Sequence, residues 1–251
     1  MPAHRLEFLG SPLDAITTQQ TVAMALEAMH SRAKLTHVAL NVAKLVNMQA
    51  NSILRNDVRS ADIIGVDGMG ILWGARLLGF DIPERVSGID LMDAILGKCA
   101  STGYRPFFLG GTLEVVTAAV RAAQQTHDGL HFAGFHHGYF LDEEISNVIK
   151  EINYSRADCL FVGMPTPRKE NFLAKYRSVI DAPFVMGVGG SFDVLAGKVD
   201  RAPHWLRTSG FEWLFRLLQE PRRLFWRYVS TNSKFLILVM QAIFKAMRTV
   251  R

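Results

Sequence analysis

Between Asp62 and Gly88 the chain reads D-I-I-G-V-D-G-M-G-I-L-W-G-A-R-L-L-G-F-D-I-P-E-R-V-S-G. Ile63 to Val66 is an apolar run of the length of a buried strand. It stops at Asp67, Gly68 and Gly70 follow, and Met69, Leu72, Trp73, Arg76 and Leu77 then recur at helical spacing. A buried strand that turns at once into a helix belongs to an open parallel sheet, and in such sheets ligands bind outside the carboxyl ends of the strands. The glycines permit positive φ and let backbone approach a ligand closely. At this turn Asp67 either caps the following helix or offers its carboxylate to a ligand; the local pattern leaves both readings open.

The same alternation runs through the first 200 residues. A strand at 6–9 leads through Ser11-Pro12 into a helix at 18–29. Strands are expected at 37–40, 63–66, 105–109, 131–135, 159–162 and 184–187, and helices at 42–49, 88–100, 112–125, 142–154 and 167–176, with a short one after Ser191. Strands alternating with helices imply a parallel sheet covered on both faces. The expected class is therefore α/β: a Rossmann-like, mainly parallel sheet over residues 1–200, with a C-terminal helical appendage at 201–251. The boundary falls near Val199–Pro203, where R-A-P-H-W-L-R opens a basic, aromatic region.

Charge supports that division. The last 51 residues hold ten basic and two acidic side chains, a net of +8, so the first 200 carry −3 of the chain's +5. A nucleic-acid binder would spread its basic character over the fold, so no nucleic-acid partner is expected. The two cysteines, Cys99 and Cys159, offer neither a disulfide framework nor a zinc motif and suit a reducing compartment. The opening M-P-A-H-R-L-E-F-L-G lacks the apolar segment of a signal peptide.

Several strands end in small or polar residues: Asn41, Asp67 with Gly68, Gly110-Gly111, Gly163 and Gly189-Gly190. Turns of this kind present free N–H groups where a phosphate fits, so together they favour a nucleotide or diphosphate ligand. The G-x-G-x-x-G fingerprint and the P-loop motif are both missing. No Asp-x-Asp offers to bridge a diphosphate through Mg²⁺ or Mn²⁺. Neither a metal nor a cofactor is therefore expected, and arginines would have to neutralise the phosphates. Candidates are Arg85, Arg168, Arg216, Arg222, Arg223 and Arg227; any one of them taken alone reads more simply as part of a solvated face. His136-His137 lacks Cys or carboxylate partners at ligand spacing and reads as turn packing.

Five segments then combine: D-G-M-G-I-L-W-G-A-R-L-L-G, P-E-R-V-S-G-I-D-L-M, H-H-G-Y-F, G-V-G-G-S-F-D-V-L-A-G-K-V-D-R-A-P and E-W-L-F-R-L-L-Q-E-P-R-R-L-F-W-R-Y. In this order, over roughly residues 35–230, they resemble the WecG/TagA/CpsF family, glycosyltransferase family 26. The resemblance implies an inverting, metal-independent transferase that moves a sugar from a UDP-sugar to an undecaprenyl-diphosphate-linked sugar. It also implies a place at the cytoplasmic membrane face, in the synthesis of teichoic acid, common antigen, capsule or exopolysaccharide. Carried over by residue, the family's base falls on Asp67, its pocket asparagine on Asn41 and its pocket arginine on Arg85. The arginines thought to hold the diphosphate fall on Arg216, Arg223 and Arg227. Ala39 stands where the family often has Thr, and Lys169 where it often has Gln, so the donor need not be UDP-N-acetylmannosamine.

Residues 235–244 (F-L-I-L-V-M-Q-A-I-F) form an apolar run with Lys234, Lys245 and Arg248 beside it. About 20 residues are needed to span a bilayer, so the segment is expected to lie in the interface of an anionic membrane. The bland reading packs it on the core or on a second copy of the chain. Two other functions fit parts of the sequence: a soluble nucleotide-sugar epimerase or dehydrogenase, which the missing fingerprint counts against, and a non-catalytic membrane scaffold, which leaves Asp67 without a purpose.

Overall fold

The computed structural model describes residues 5–249, without the side chains of His204, Thr208, Arg223 and Thr249. The chain begins with a hairpin, β1 (Arg5–Phe8) and β2 (Ser11–Asp14), followed by α1 (Thr18–Ser31) and β3 (Leu35–Leu40). Next come α2 (Val42–Ala50), α3 (Ser52–Arg59), β4 (Ile63–Val66), α4 (Met69–Leu77) and α5 (Gly88–Thr102). The second half adds β5 (Pro106–Gly110), α6 (Leu113–Thr126), β6 (Gly134–His136), α7 (Ile145–Tyr154) and β7 (Cys159–Gly163). It continues with α8 (Arg168–Tyr176), β8 (Phe184–Gly187) and α9 (Ser191–Leu195). Three helices close the chain: α10 (His204–Thr208), α11 (Glu212–Gln219) and α12 (Pro221–Thr249).

Six strands form one parallel sheet in the order β4-β3-β8-β7-β5-β6. Alternate strand residues feed two cores, as the period-2 geometry of a strand requires. Val38, Leu40, Ile64, Val66, Phe107, Leu109, Leu160 and Val162 face one way, with Leu45, Leu54 and Phe172 from the helices. Phe108, Phe161, Phe184 and Met186 face the other, with Met92, Val116 and Phe192. The sheet is thus the doubly covered, Rossmann-like one. From β3 the chain moves outward to β4, whereas β8 arrives from β7 on the other side, so the β3/β8 junction is the switch point where a ligand crevice opens.

Four local features differ from the sequence expectation. Ser11-Pro12 is strand rather than link: the chain turns earlier, at Leu9-Gly10, where φ values of 50° and 76° make a two-residue hairpin turn. Asp14 then accepts from the Ile64 N–H at 2.7 Å and from Arg5, which covers the edge of β4. Helix α3 was invisible because only Leu54 and Val58 of its eight residues turn inward. The strand expected at 131–135 is Gly134–His136, since Leu130 is buried and Phe132 half-buried by packing rather than by pairing; Phe132 lies edge-on to Phe108. The helix expected from 142 opens with a tight turn at Asp142–Glu144 before α7.

Helix α12 crosses onto the core. Phe235 meets Phe8 and rests where a Cβ on Gly74 would stand, while Leu238 packs on the core and Val239 is buried. Leu236, Ile237, Met240, Phe244 and Met247 stay exposed on its outer side. The apolar run at 235–244 therefore divides, one face on the core and one free. Among the described residues no helix is long and apolar enough to cross a membrane.

Candidate active site

The loops after β3, β4, β7 and β8 meet around one cavity of about 250 Å³ that the C-terminal helices roof over. Asn41 ends β3 and caps α2, its Oδ1 accepting from the Lys44 N–H at 2.9 Å. Asp67 follows β4 and is locked beside β3 by its own N–H, which donates to the Leu40 carbonyl at 2.8 Å. The capping reading of Asp67 does not hold: Gly68 is the cap residue of α4, at φ 102°, and no side chain caps that helix. Among the described residues no hydrogen bond or ion pair engages the Asp67 carboxylate. It lines the cavity half-buried, and desolvation there pushes its pKa up; Arg85 opposes that shift, Glu212 adds to it, and Arg216 and Lys44 oppose it again.

Arg85 reaches the cavity because the next residue, Val86, donates its N–H to the Val66 carbonyl at 2.8 Å. This lays the segment over the end of β4. The Arg85 guanidinium pairs with Glu212 of α11 at 3.0 Å, with both side chains largely buried. Arg216, Trp213 and Tyr228 complete the roof. Gly210 fits because α4 leaves it no room for a side chain: a Cβ there would stand 2.6 Å from the Met69 side chain.

Beneath the cavity lies a buried ionic cluster. Glu170 (0% exposed) receives Lys44 Nζ at 2.8 Å and Lys169 Nζ at 3.3 Å, together with the Thr166 hydroxyl at 3.1 Å. Burial alone would raise the Glu170 carboxyl, but the two ammonium groups hold it down at about 2. Lys169 is lowered to about 8, chiefly by burial and then by Lys44, against the pull of Glu170 and Asp67. Its stem runs over β8, and a Cβ on Gly187 would come within 2.8 Å of it, so Gly187 is needed as glycine.

Of the residues singled out from the sequence, Asn41, Asp67, Gly68, Arg85, Lys169, Gly189, Gly190 and Arg216 meet in this cavity. Arg227 lines a neighbouring space of about 510 Å³ that shares Gly190 and Arg216 with it. Gly110 and Gly111 sit at the same sheet edge but outside both cavities; there Gly110, at φ 146°, lets the backbone pass Gly163 at close range. Arg168 turns away, donating to the Phe140 carbonyl at 2.6 Å with its guanidinium over that ring. Arg222 is exposed and lines neither space. The Arg223 side chain lies outside those described. Lys44, Glu170 and Glu212 were missed, because lone charges in amphipathic helices read as solvated faces; the one usable signal was Lys44 standing three residues after a strand-end Asn.

Residues 6–249 match the glycosyl transferase WecG/TagA/CpsF family. Over 182 residues the chain is 34% identical to an N-acetylglucosaminyldiphosphoundecaprenol N-acetyl-beta-D-mannosaminyltransferase of Bacillus spizizenii, covering 72% of this chain and 69% of the relative. A Staphylococcus aureus protein of the same name is 34% identical over 194 residues, 77% of this chain and 73% of its own. Similarity of this extent, on a Rossmann-like sheet with a carboxylate among cations at its carboxyl edge, makes the protein a hexosyltransferase. It belongs to the glycosyl transferase WecG/TagA/CpsF family.

Proposed function

We propose that the chain moves a hexose or hexosamine from a UDP-sugar to a sugar carried on a polyprenyl diphosphate, with inversion and without a metal ion. The observation that carries this reading is the Asp67 carboxylate, unpartnered among the described residues, in a cavity whose other charged walls are Lys44, Lys169, Arg85 with its Glu212, and Arg216. The acceptor hydroxyl attacks the anomeric carbon opposite the diphosphate, and Asp67 takes its proton. The bond from that carbon to the phosphate oxygen breaks, and its electron pair leaves with UDP. Cations fixed in place before the reaction stabilise that charge without reorganising. Lys44, Lys169, Arg85 and Arg216 are the counter-charge that the cavity wall offers a diphosphate. The relatives' names supply the polyprenyl-diphosphate acceptor and N-acetylmannosamine; Ala39 and Lys169 in the cavity are the reason to leave the donor sugar broader here.

The acceptor's lipid places the reaction at a membrane surface, and we assign the cytoplasmic face, peripherally. Exposed Trp213, Leu214, Leu218, Phe225 and Trp226, among basic residues of α11 and α12, support that position. Self-association of the chain is compatible with the same surface. The test is UDP release with and without a polyprenyl-diphosphate-linked sugar, across a panel of UDP-sugars, with the lipid product weighed by mass spectrometry. Acceptor-dependent release that survives excess EDTA is expected; release restored only by Mg²⁺ or Mn²⁺ would overturn the metal-free reading.

A further inference from the structure

Lys44, Lys169 and Glu170 are 4%, 5% and 0% exposed. Buried ions are tolerated when paired and hydrogen-bonded, yet two ammonium groups here share one carboxylate. Lys44 is well served: it reaches Glu170 at 2.8 Å and also donates to the Ala39 carbonyl. Lys169 has the longer contact, 3.3 Å to the same Glu170 oxygen, and no other hydrogen-bond acceptor among the described residues. Its ammonium lines the cavity beside Gly189. The cluster's surplus positive charge therefore faces the space where the substrate binds. Of the carboxylates across that space, Glu212 is held by Arg85, and Asp67 attracts the Lys169 ammonium through space without a hydrogen bond or ion pair to it among the described residues.

We propose that Lys169 is a further catalytic residue, whose ammonium, tethered by Glu170 against β8, donates hydrogen bonds to an anionic oxygen of the bound donor. That oxygen belongs either to the leaving diphosphate or to the carboxylate of an acidic sugar. The inference rests on the UDP-sugar reading above and adds a named contact to it. The groups facing Lys169 are Glu170 on its own helix, Lys44 of α2 and Asp67 after β4, with Arg85, Glu212 and Arg216 across the cavity. Burial first and Lys44 second lower Lys169 to about 8, so a contact of this kind weakens as pH rises through 8.

The experiment is calorimetric titration of the full chain, wild type and Lys169→Gln, with uridine diphosphate and with uridine-diphosphate glucuronate, from pH 6.5 to 9.5. Gln removes the charge and keeps a polar head one atom closer to the backbone, and Lys44 still pairs with Glu170. If the diphosphate is the partner, uridine diphosphate binds roughly tenfold or more weakly to Lys169→Gln. Wild-type affinity also falls above pH 8, while that of the variant does not. If the acidic sugar is the partner, uridine diphosphate binds both proteins alike and only the glucuronate donor loses about tenfold. Equal affinities of a folded Lys169→Gln protein for both ligands overturn the proposal. Should the variant not fold, the wild type decides alone, and flat affinity for both ligands from pH 7.5 to 9.5 overturns it. A wild type that binds no uridine diphosphate removes the UDP-sugar reading and this inference together, whereas normal wild-type binding with an indifferent variant removes this inference alone.

Discussion

His37 shows what burial does to a single side chain in this sheet. It sits in β3 fully enclosed, neither ring nitrogen has a partner among the described residues, and Gly65 lies so close that a Cβ there would come 2.6 Å from Nε2. Burial first, and Lys44 second, hold its pKa near 4. The unfolded chain therefore takes up the proton first, and stability falls as pH drops from about 6.5 to 4, by about 3 kcal/mol. Glu170 acts lower down: its pKa is depressed, so its contribution is complete above 4.5 and is lost as pH falls towards 2. Urea titrations of His37→Leu should show a much flatter stability between pH 6.5 and 4; an unchanged slope would place the acid sensitivity elsewhere. Asp67 was legible in the sequence as a candidate because it is a charge at the end of an apolar run, with helix capping as the reading that the local pattern left open beside it. Lys44 and Glu170 were not, since each looks like a solvent-facing residue until the fold sets two helices side by side.

The C-terminal helices rest on α2 and, at two glycines, against α4. Gly68 has the positive φ that its turn suggested and Gly79 has one as well, but Gly70 and Gly74 serve packing. A Cβ on Gly70 would stand 2.6 Å from Val42, and one on Gly74 would stand 2.7 Å from the Phe235 ring. The sequence pattern of strand, glycine and helix was enough to place the sheet and its ligand edge. It could not separate a glycine that turns the backbone from one that makes room for a neighbour. Nor could it show the Arg85–Glu212 pair, which joins residues 127 positions apart. Gly74→Val should overpack this seam and lower stability by about 1–3 kcal/mol, with earlier proteolytic cleavage inside α12 than in the wild type. Equal protease resistance and melting temperature would mean that α12 does not depend on this contact.

For the molecule as a whole, helix α12 presents two faces, one packed on the core and one exposed, and we assign the exposed one to membrane contact. Phe235, Leu238 and Val239 pack inward, so a truncation before them removes core contacts along with any membrane contact. Substitution on the outer face separates the two. Replacing exposed Leu236, Ile237, Met240 and Phe244 by Ser should leave the melting temperature within a few degrees but reduce sedimentation with anionic liposomes several-fold. High salt should weaken what binding remains. Undiminished liposome binding would assign this face to a second protein surface instead.

The central claim is that Asp67 is the base, and the folded Asp67→Asn protein tests it most directly. An unpaired carboxylate raised by burial destabilises the fold at neutral pH, so this variant should melt no lower than the wild type. The decisive measurement is its turnover with UDP-sugar and a polyprenyl-diphosphate-linked acceptor in excess EDTA. A rate lower by about 10²–10⁴-fold, with uridine diphosphate affinity unchanged, is expected. Turnover close to that of the wild type would contradict the assignment.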